Sequence, residues 1–314
     1  MRFADILLTS TVVVATLAAV IIREGNQAEL ERPDVTLVMA DEGPYRLRDA
    51  SPAGNALRLA IAPLLTPGFN PAGSPALRLY LARRLAKPLL ISSGRTFAEI
   101  DAQLRLGEVS VAFIGSGPFV IGRREMGLVP LAVPVVAGKS VSRAFLIVPA
   151  ASKVRSWAEL RGKSFAFTDS LSSSGRLVPA YALARLGATP GEFFRRFVYT
   201  HSFTESIKAV AEGLVDGASV DSLSFEAALR REPSLLGAVR VVWESGTFGI
   251  GPVVAHPRVP APVRNRLAEA LCSMAEDSDG RYVLEGLGFD RFARPAADTY
   301  APLESMARVA GIVP

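Results

Sequence analysis

The stretch KSFAFTDSLSSSGRLVPAYALARLG, residues 163–187, decides how the chain is read. It opens as a short strand and closes as a helix beginning near Gly175 or Arg176. Thr168 and Asp169 end the strand, so Ser172, Ser173 and Ser174 lie in the turn and face a helix N-terminus. Such a terminus carries four unpaired backbone N–H groups and about half a positive charge, which suits a bound oxyanion. Serine hydroxyls add short-range donors, and Gly175 lets the backbone approach closely. A plain N-cap followed by a solvated serine loop is an equal alternative on this segment alone. One serine suffices for a cap, however, and three leave two without an obvious structural purpose.

The same strand-to-helix step recurs on both sides. From Leu57, LRLAIAP, PLLIS and VSVAFIG read as strands, separated by the helices GSPALRLYLARRLAK and TFAEIDAQLRLGE and followed by a helix start at GPFVIGRREMG. After LVPLAVPVVAGKS the alternation starts again with SRAFLIVPA and runs through RFVYT, FTESIKAVAEGL, VDGASVD and SFEAALRRE. Repeated β-α-β units imply a mostly parallel sheet with helices on its faces, whose ligands sit beyond the carboxyl ends of the strands. The last segments, VRVVWES, GPVVAHP, APVRNRLAEALCSMA and GRYVLEGLG, are strands and helices that need a surface to cover, and the first half supplies one. The two halves share an architecture without an internal sequence repeat.

Residues 6–22, ILLTSTVVVATLAAVII, contain no charge and are flanked by Arg2 and Asp5 on one side and Arg23 and Glu24 on the other. As a helix they reach about 25 Å, slightly short of a hydrocarbon layer of about 30 Å but able to span it with local thinning or snorkelling. The run is an export or anchoring segment: an uncleaved anchor, or a signal with a small-residue site at residues 16–18. Either places the rest of the chain in the periplasm or another extracytoplasmic space. Residues 24–54 are polar, carry charges of both signs and read as a tether.

With 314 residues, 49% of them hydrophobic and 21% charged, the chain is long enough for two lobes with real cores. The net charge of +5 comes from Arg residues scattered along the chain, not gathered into basic blocks, so no nucleic-acid partner is expected. His201, His256 and Cys272 are too few and too dispersed for a metal site, and a single Cys forms no intrachain disulfide. No cofactor is expected.

FAFTDSLSSSGRLVPAYALARLG resembles the D-P-x-S-T-S-G-x-L-x-P stretch of the extracytoplasmic phosphate, phosphite and phosphonate-binding proteins of ABC importers. LRLAIAP, GEVSVAFIGSGPFV, AELRGKSFAF, YTHSFTESIKAVAEGLVDGASVDS, VRVVWES and GPVVAHPRVPAPVRNRLAEAL are similar to the same family in the same order, over about residues 57–295. The resemblance implies an α/β, two-lobed Venus-flytrap fold of the type II periplasmic-binding class, preceded here by the N-terminal hydrophobic helix. With the composition of the N-terminus, the chain divides into a signal or anchor at 1–23 and a linker at 24–54, and the resemblance adds a first lobe at 55–140 completed by 250–314 and a second lobe at 141–249. The resemblance also implies a ligand closed between the lobes, an ABC permease as partner and no enzymatic activity; the apolar run 6–22 gives the expected membrane contact, and a monomer is expected.

Site residues follow from the same likeness. Ser172, Ser173 and Ser174 match the family's Ser-Thr-Ser donors, with Gly175 beside them. His201 in YTHSF matches the family's histidine, and Asp221 falls near its acidic position. A carboxylate beside an anion makes sense only if it meets a proton on the ligand or orients a donor; an N-cap for the following helix is an equal alternative. In the first lobe Leu64 stands where the family commonly has an aromatic, and Phe119 where it often has a tyrosine. Ser116 and the N–H groups after Gly117 are the replacements, since they too precede a helix. Gly251 occupies the position where aminophosphonate-binding members carry a carboxylate. The expected ligand is therefore a small, non-amino oxyanion: phosphate, phosphite or a short alkylphosphonate. Two rival readings remain, a membrane-anchored sensor of the same fold and a hydrolase with Ser173, His201 and Asp221 as a triad. The second lacks the G-x-S-x-G turn.

Overall fold

The computed structural model describes residues 56–62, 74–94 and 96–313; the hydrophobic segment 6–22, the tether 24–54 and Leu64 lie outside the described residues. The strands are β1 (Leu57–Ile61), β2 (Leu89–Ser93), β3 (Val111–Phe113), β4 (Val129–Val135), β5 (Val141–Ser142), β6 (Ala144–Pro149), β7 (Ser164–Phe167), β8 (Arg196–Tyr199), β9 (Gly217–Asp221), β10 (Val239–Glu244), β11 (Phe248–Gly249), β12 (Val253–Ala255) and β13 (Arg291–Ala293). The longer helices are α1 (Ser74–Leu85), α2 (Phe97–Leu106), α3 (Ser116–Met126), α4 (Val178–Ala184), α5 (Phe203–Ala211), α6 (Ser222–Arg231), α7 (Ala261–Cys272), α8 (Ser278–Leu287) and α9 (Ala301–Val309).

Two sheets carry two lobes. The first has the order β13-β4-β12-β3-β1-β2 and the second β10-β6-β9-β7-β8. The chain leaves the first sheet after β4 and returns to it at β12. At the crossing, β5 and β11 pair as a short antiparallel ribbon, Phe248 opposite Ser142 and Gly249 opposite Val141.

The expectation of mostly parallel sheets is corrected. β1 lies parallel to β2 and β3, and β7 parallel to β8 and β9. By contrast β12 is antiparallel to both β3 and β4, β13 to β4, and β6 to β9 and β10. The cause is the path of the chain. A β-α-β unit points its strands' carboxyl ends at the cleft, whereas β6 and β12 each enter their lobe from the crossing and so start where the others end. Ala144 sits opposite Asp221, and Val253 opposite Phe113.

Local signals set the helix ends. Thr96 caps α2, its Oγ1 accepting from the Glu99 N–H at 3.1 Å, and Gly107 closes it with φ of 73°. The serine turn is more unusual. Residues Ser173–Leu177 form a π-helical turn before α4, with Ser172 as its cap. Pro179, which has no N–H to donate, sits in α4 directly after this turn.

Each sheet is covered on both faces. Leu59, Leu81, Val111, Leu267, Leu271 and Leu287 pack on one side of the first sheet, and Ile100, Leu104, Ala112 and Phe119 on the other. The second cluster does not stop at the lobe boundary. Leu177 and Val178, from the serine turn and α4, are buried in it beside Tyr300, the N-cap of α9, and Leu303 and Ala307 within that helix. The second lobe has its own aromatic core, in which Phe165 stacks on Phe194 with centroids 4.5 Å apart and meets Phe167 edge-on at 5.0 Å.

Candidate functional site

Two helix starts face each other across the lobes. In the first lobe β3 runs through Ile114 into Gly115, the N-cap of α3, which has no side chain to cap with. The N–H groups of Ser116 and Gly117 therefore have no intrahelical acceptor. Gly117 allows the approach: a Cβ there would stand 2.3 Å from the Leu171 carbonyl oxygen and 3.0 Å from the Ser173 nitrogen, both in the second lobe. The hydroxyls of Ser116 and Ser173 meet at 2.7 Å, buried.

The three serines divide the work. Ser172 Oγ accepts from the Gly175 N–H at 3.0 Å, which is the capping role. Ser173 crosses to Ser116. Ser174 turns its hydroxyl toward Asp221 Oδ2 at 3.4 Å, while its carbonyl accepts from Ser219 Oγ at 2.6 Å. Gly175 is packed against Thr168, whose Cβ would lie 2.5 Å from an added methyl group.

Asp221 does both things expected of it. Its Oδ1 caps α6, accepting from the N–H groups of Leu223 at 2.9 Å and Ser224 at 3.1 Å. Its Oδ2 accepts from Ser142 Oγ, on β5, in a short hydrogen bond. Burial pushes the carboxyl above its ordinary range, against the pull of these three donors and the Ser174 hydroxyl.

Between the helix starts lies a small cavity of about 30 Å³. Gly115, Ser116, Ser142, Ser172, Ser173, Ser174 and Asp221 form its polar side, and Phe97, Phe203, Phe248, Ile250 and Gly251 the rest. Of the residues expected from sequence, the structure thus brings together Ser116, the three serines and Asp221. Gly117 and Gly175 stand behind the lining as close-packed backbone. Phe119 is not at the cavity: it is fully buried, edge-on to Tyr300 with centroids 4.6 Å apart. The Tyr300 hydroxyl donates to the Ile250 carbonyl at 2.9 Å. His201 is not at the cavity either. Its backbone takes a left-handed φ of 56°, and its side chain, 62% exposed, stacks near Tyr199 and sits 4.0 Å from Asp169 Oδ2. The proposed triad is therefore not assembled, since the hydroxyl partner of Ser173 is Ser116.

Sequence reading missed Phe97, Gly115, Ser142, Phe203, Phe248 and Ile250. Phe97 and Phe203 carried a signal, an aromatic directly after the hydroxyl cap of a helix at Thr96 and Ser202. Ser142, Phe248 and Ile250 lie on the crossings and had none. A larger, open hollow of about 460 Å³ lies at the far end of the first sheet, lined in part by Lys87, His256 and Arg258, and holds none of the expected residues. Among the described residues no group of three or more His, Cys, Asp or Glu could hold a metal ion, and no helix is long and apolar enough to cross a membrane.

Residues 63–300 match the family model of the ABC transporter phosphonate periplasmic substrate-binding proteins. The chain belongs to that family. The phosphonate periplasmic-binding family is that of a substrate-binding transporter component, with an extracytoplasmic place of work. Solved structures of similar fold include XAC2383 from Xanthomonas citri bound to chloride, with a TM-score of 0.70, 19% identity, and 82% of this chain and 99% of that one covered. A binding protein component of an ABC phosphonate transporter from Pseudomonas aeruginosa gives 0.68 at 20% identity, over 82% and 86%. PhnD1 from Prochlorococcus marinus in complex with methylphosphonate gives 0.65 at 16%, over 82% and 99%. At these identities the likeness is one of fold.

Proposed function

We propose that this protein is the solute-binding subunit of an ABC importer and that its lobes, residues 55–140 with 250–314 and residues 141–249, close on one small phosphorus oxyanion: phosphate, phosphite or a short alkylphosphonate. The observation that carries the reading is the meeting of Ser116 and Ser173 at 2.7 Å, each at a helix start of a different lobe, beside a cavity with room for one compact group. In the open form each lobe offers half of the donors. The ligand gains all of them only on closure, so it selects the closed form. Charge-assisted hydrogen bonds of about 1.5–3 kcal/mol each, offset by desolvation and closure, support micromolar or tighter affinity.

The apolar side of the cavity, with Phe97, Phe203, Phe248 and Ile250, suits hydrogen or a short alkyl substituent on phosphorus, and Gly251 offers an amine no partner. Calorimetry with phosphate, phosphite, methylphosphonate and 2-aminoethylphosphonate tests the reading. One of the first three is expected to bind tightest, and Ser173→Ala to weaken it about tenfold or more. Tighter binding of the aminophosphonate than of the other three would overturn the choice of ligand. His201 enters this scheme as a residue outside the cavity wall, so His201→Ala is expected to change the affinity less than Ser173→Ala.

A further inference from the structure

Asp169 and His201 stand next to the serine turn, yet neither lines the interlobe cavity. Asp169 follows β7 and opens the turn, and its side chain is only 9% exposed. A carboxylate so placed is costly unless several donors meet it. One comes from its own lobe, the Leu171 N–H, 2.9 Å from Oδ1. Another comes from the opposite lobe: the N–H of Phe97, the first residue of α2, donates to the carboxylate. A helix leaves this N–H without an intrahelical acceptor, and the cap Thr96 serves the Glu99 N–H instead.

Residues 169–173 therefore lie across two helix starts of the first lobe. Besides the contact of Asp169 with α2, the Leu171 carbonyl oxygen comes so near α3 that a Cβ on Gly117 would stand 2.3 Å from it, and Ser173 meets Ser116 at 2.7 Å. The Leu171 side chain packs on the apolar cluster of the first lobe. Burial pushes the Asp169 carboxyl above its ordinary range, and the Leu171 N–H, His201 and the Phe97 N–H each pull it back. Parted lobes would leave Phe97 and Asp169 to water. In the closed molecule they serve each other, and Phe97 is buried, so loss of the accepting oxygen strands its N–H at a cost larger than the bond's own net worth.

We propose that Asp169 is an interlobe clasp: its carboxylate holds the start of α2 without touching the ligand, so that the ligand-free protein already populates the closed form. His201, with Nδ1 4.0 Å from Asp169 Oδ2 and its side chain 62% exposed, backs the carboxylate from the solvent side and affects binding only through it. The clasp rests on the reading in which two lobes close on one ligand. Every ligand gains from it equally, whatever its substituent.

Asp169→Asn keeps one oxygen for the Leu171 N–H and puts an amide nitrogen, which accepts nothing, in place of the other. Spin labels at Leu106→Cys and Leu236→Cys, one exposed site in each lobe, in a Cys272→Ser background, read the interlobe distance of the ligand-free full chain. Asp169→Asn is expected to shift the distance distribution toward longer values. In calorimetry it should weaken phosphate, phosphite and methylphosphonate by one common factor of about tenfold. His201→Ala should weaken them less, and add nothing in the Asp169→Asn background. Identical ligand-free distances in the two proteins overturn the clasp. So does a loss that differs between ligands, or a His201→Ala effect undiminished in the double variant, since either would make the residue a ligand contact. Failure of all three anions to bind the wild type overturns the ligand reading alone, because the distance measurement needs no ligand.

Discussion

Gly117 has no room for a methyl group in the closed molecule, yet its backbone is ordinary helix and would accept alanine within an isolated lobe. Gly117→Ala should therefore spare the fold of each lobe and obstruct their contact, which overpacking makes costly by about 1–3 kcal/mol. The expected readout is a loss of about ten- to a hundredfold in ligand affinity by calorimetry, with scattering showing a more open molecule. Ser172 behaves differently from its neighbours because its oxygen is already committed to the Gly175 N–H. Ser172→Ala should lower stability by about 1 kcal/mol in denaturant melts, the ordinary cost of a lost cap. Why the chain uses three serines is legible at this scale. One holds the turn, one reaches the opposite lobe and one meets the acid. Their common position before a helix could be read from sequence; the partners of the last two could not, because Ser116 lies 57 residues away and Asp221 is 47 residues from Ser174.

Among the elements, α9 packs against the second lobe. Leu303 is fully buried in the cluster that also holds Leu177 and Val178 of the second lobe. Leu303→Ala should destabilise the protein by about 2–5 kcal/mol, measured by chemical denaturation. Element by element, the strand and helix alternation was plain because the apolar periods are regular. β4 was not, since Pro130 and Pro134 interrupt LVPLAVPV and a strand flanked on both sides rarely contains proline. It nevertheless lies between β12 and β13, with Pro134 opposite Phe292 and an irregular register at Val253 and Val254. The direction of β6 and β12 was equally hidden. Nothing in the residues of a strand records from which end the chain enters it.

For the whole molecule, the carboxylates pull stability in opposite directions with pH. Burial alone would raise Asp216, but hydrogen bonds from the Ser164 N–H and hydroxyl, with Lys163 and Arg195 nearby, outweigh it and hold its carboxyl below the ordinary range. A depressed acid stabilises the folded state above its unfolded value and loses that contribution as pH falls through the folded one. Asp169 and Asp221, raised chiefly by burial, act in the reverse sense and weaken folding as pH climbs past the ordinary Asp value. Asp216→Asn should thus melt earlier than wild type at neutral pH, and the gap should close as pH falls below about 4. A gap independent of pH would assign the effect to packing.

β12 has a consequence for how the molecule is made. It occupies the middle of the first sheet, between β3 and β4, although its residues 253–255 follow the entire second sheet in the chain. A polypeptide emerging amino end first, whether from a ribosome or through a translocation channel, exposes β1 to β4 long before the strand that joins them. The second sheet, drawn from the unbroken run 144–244, has every strand it needs at an earlier moment. The half of the protein that is written first is therefore the half that is finished last.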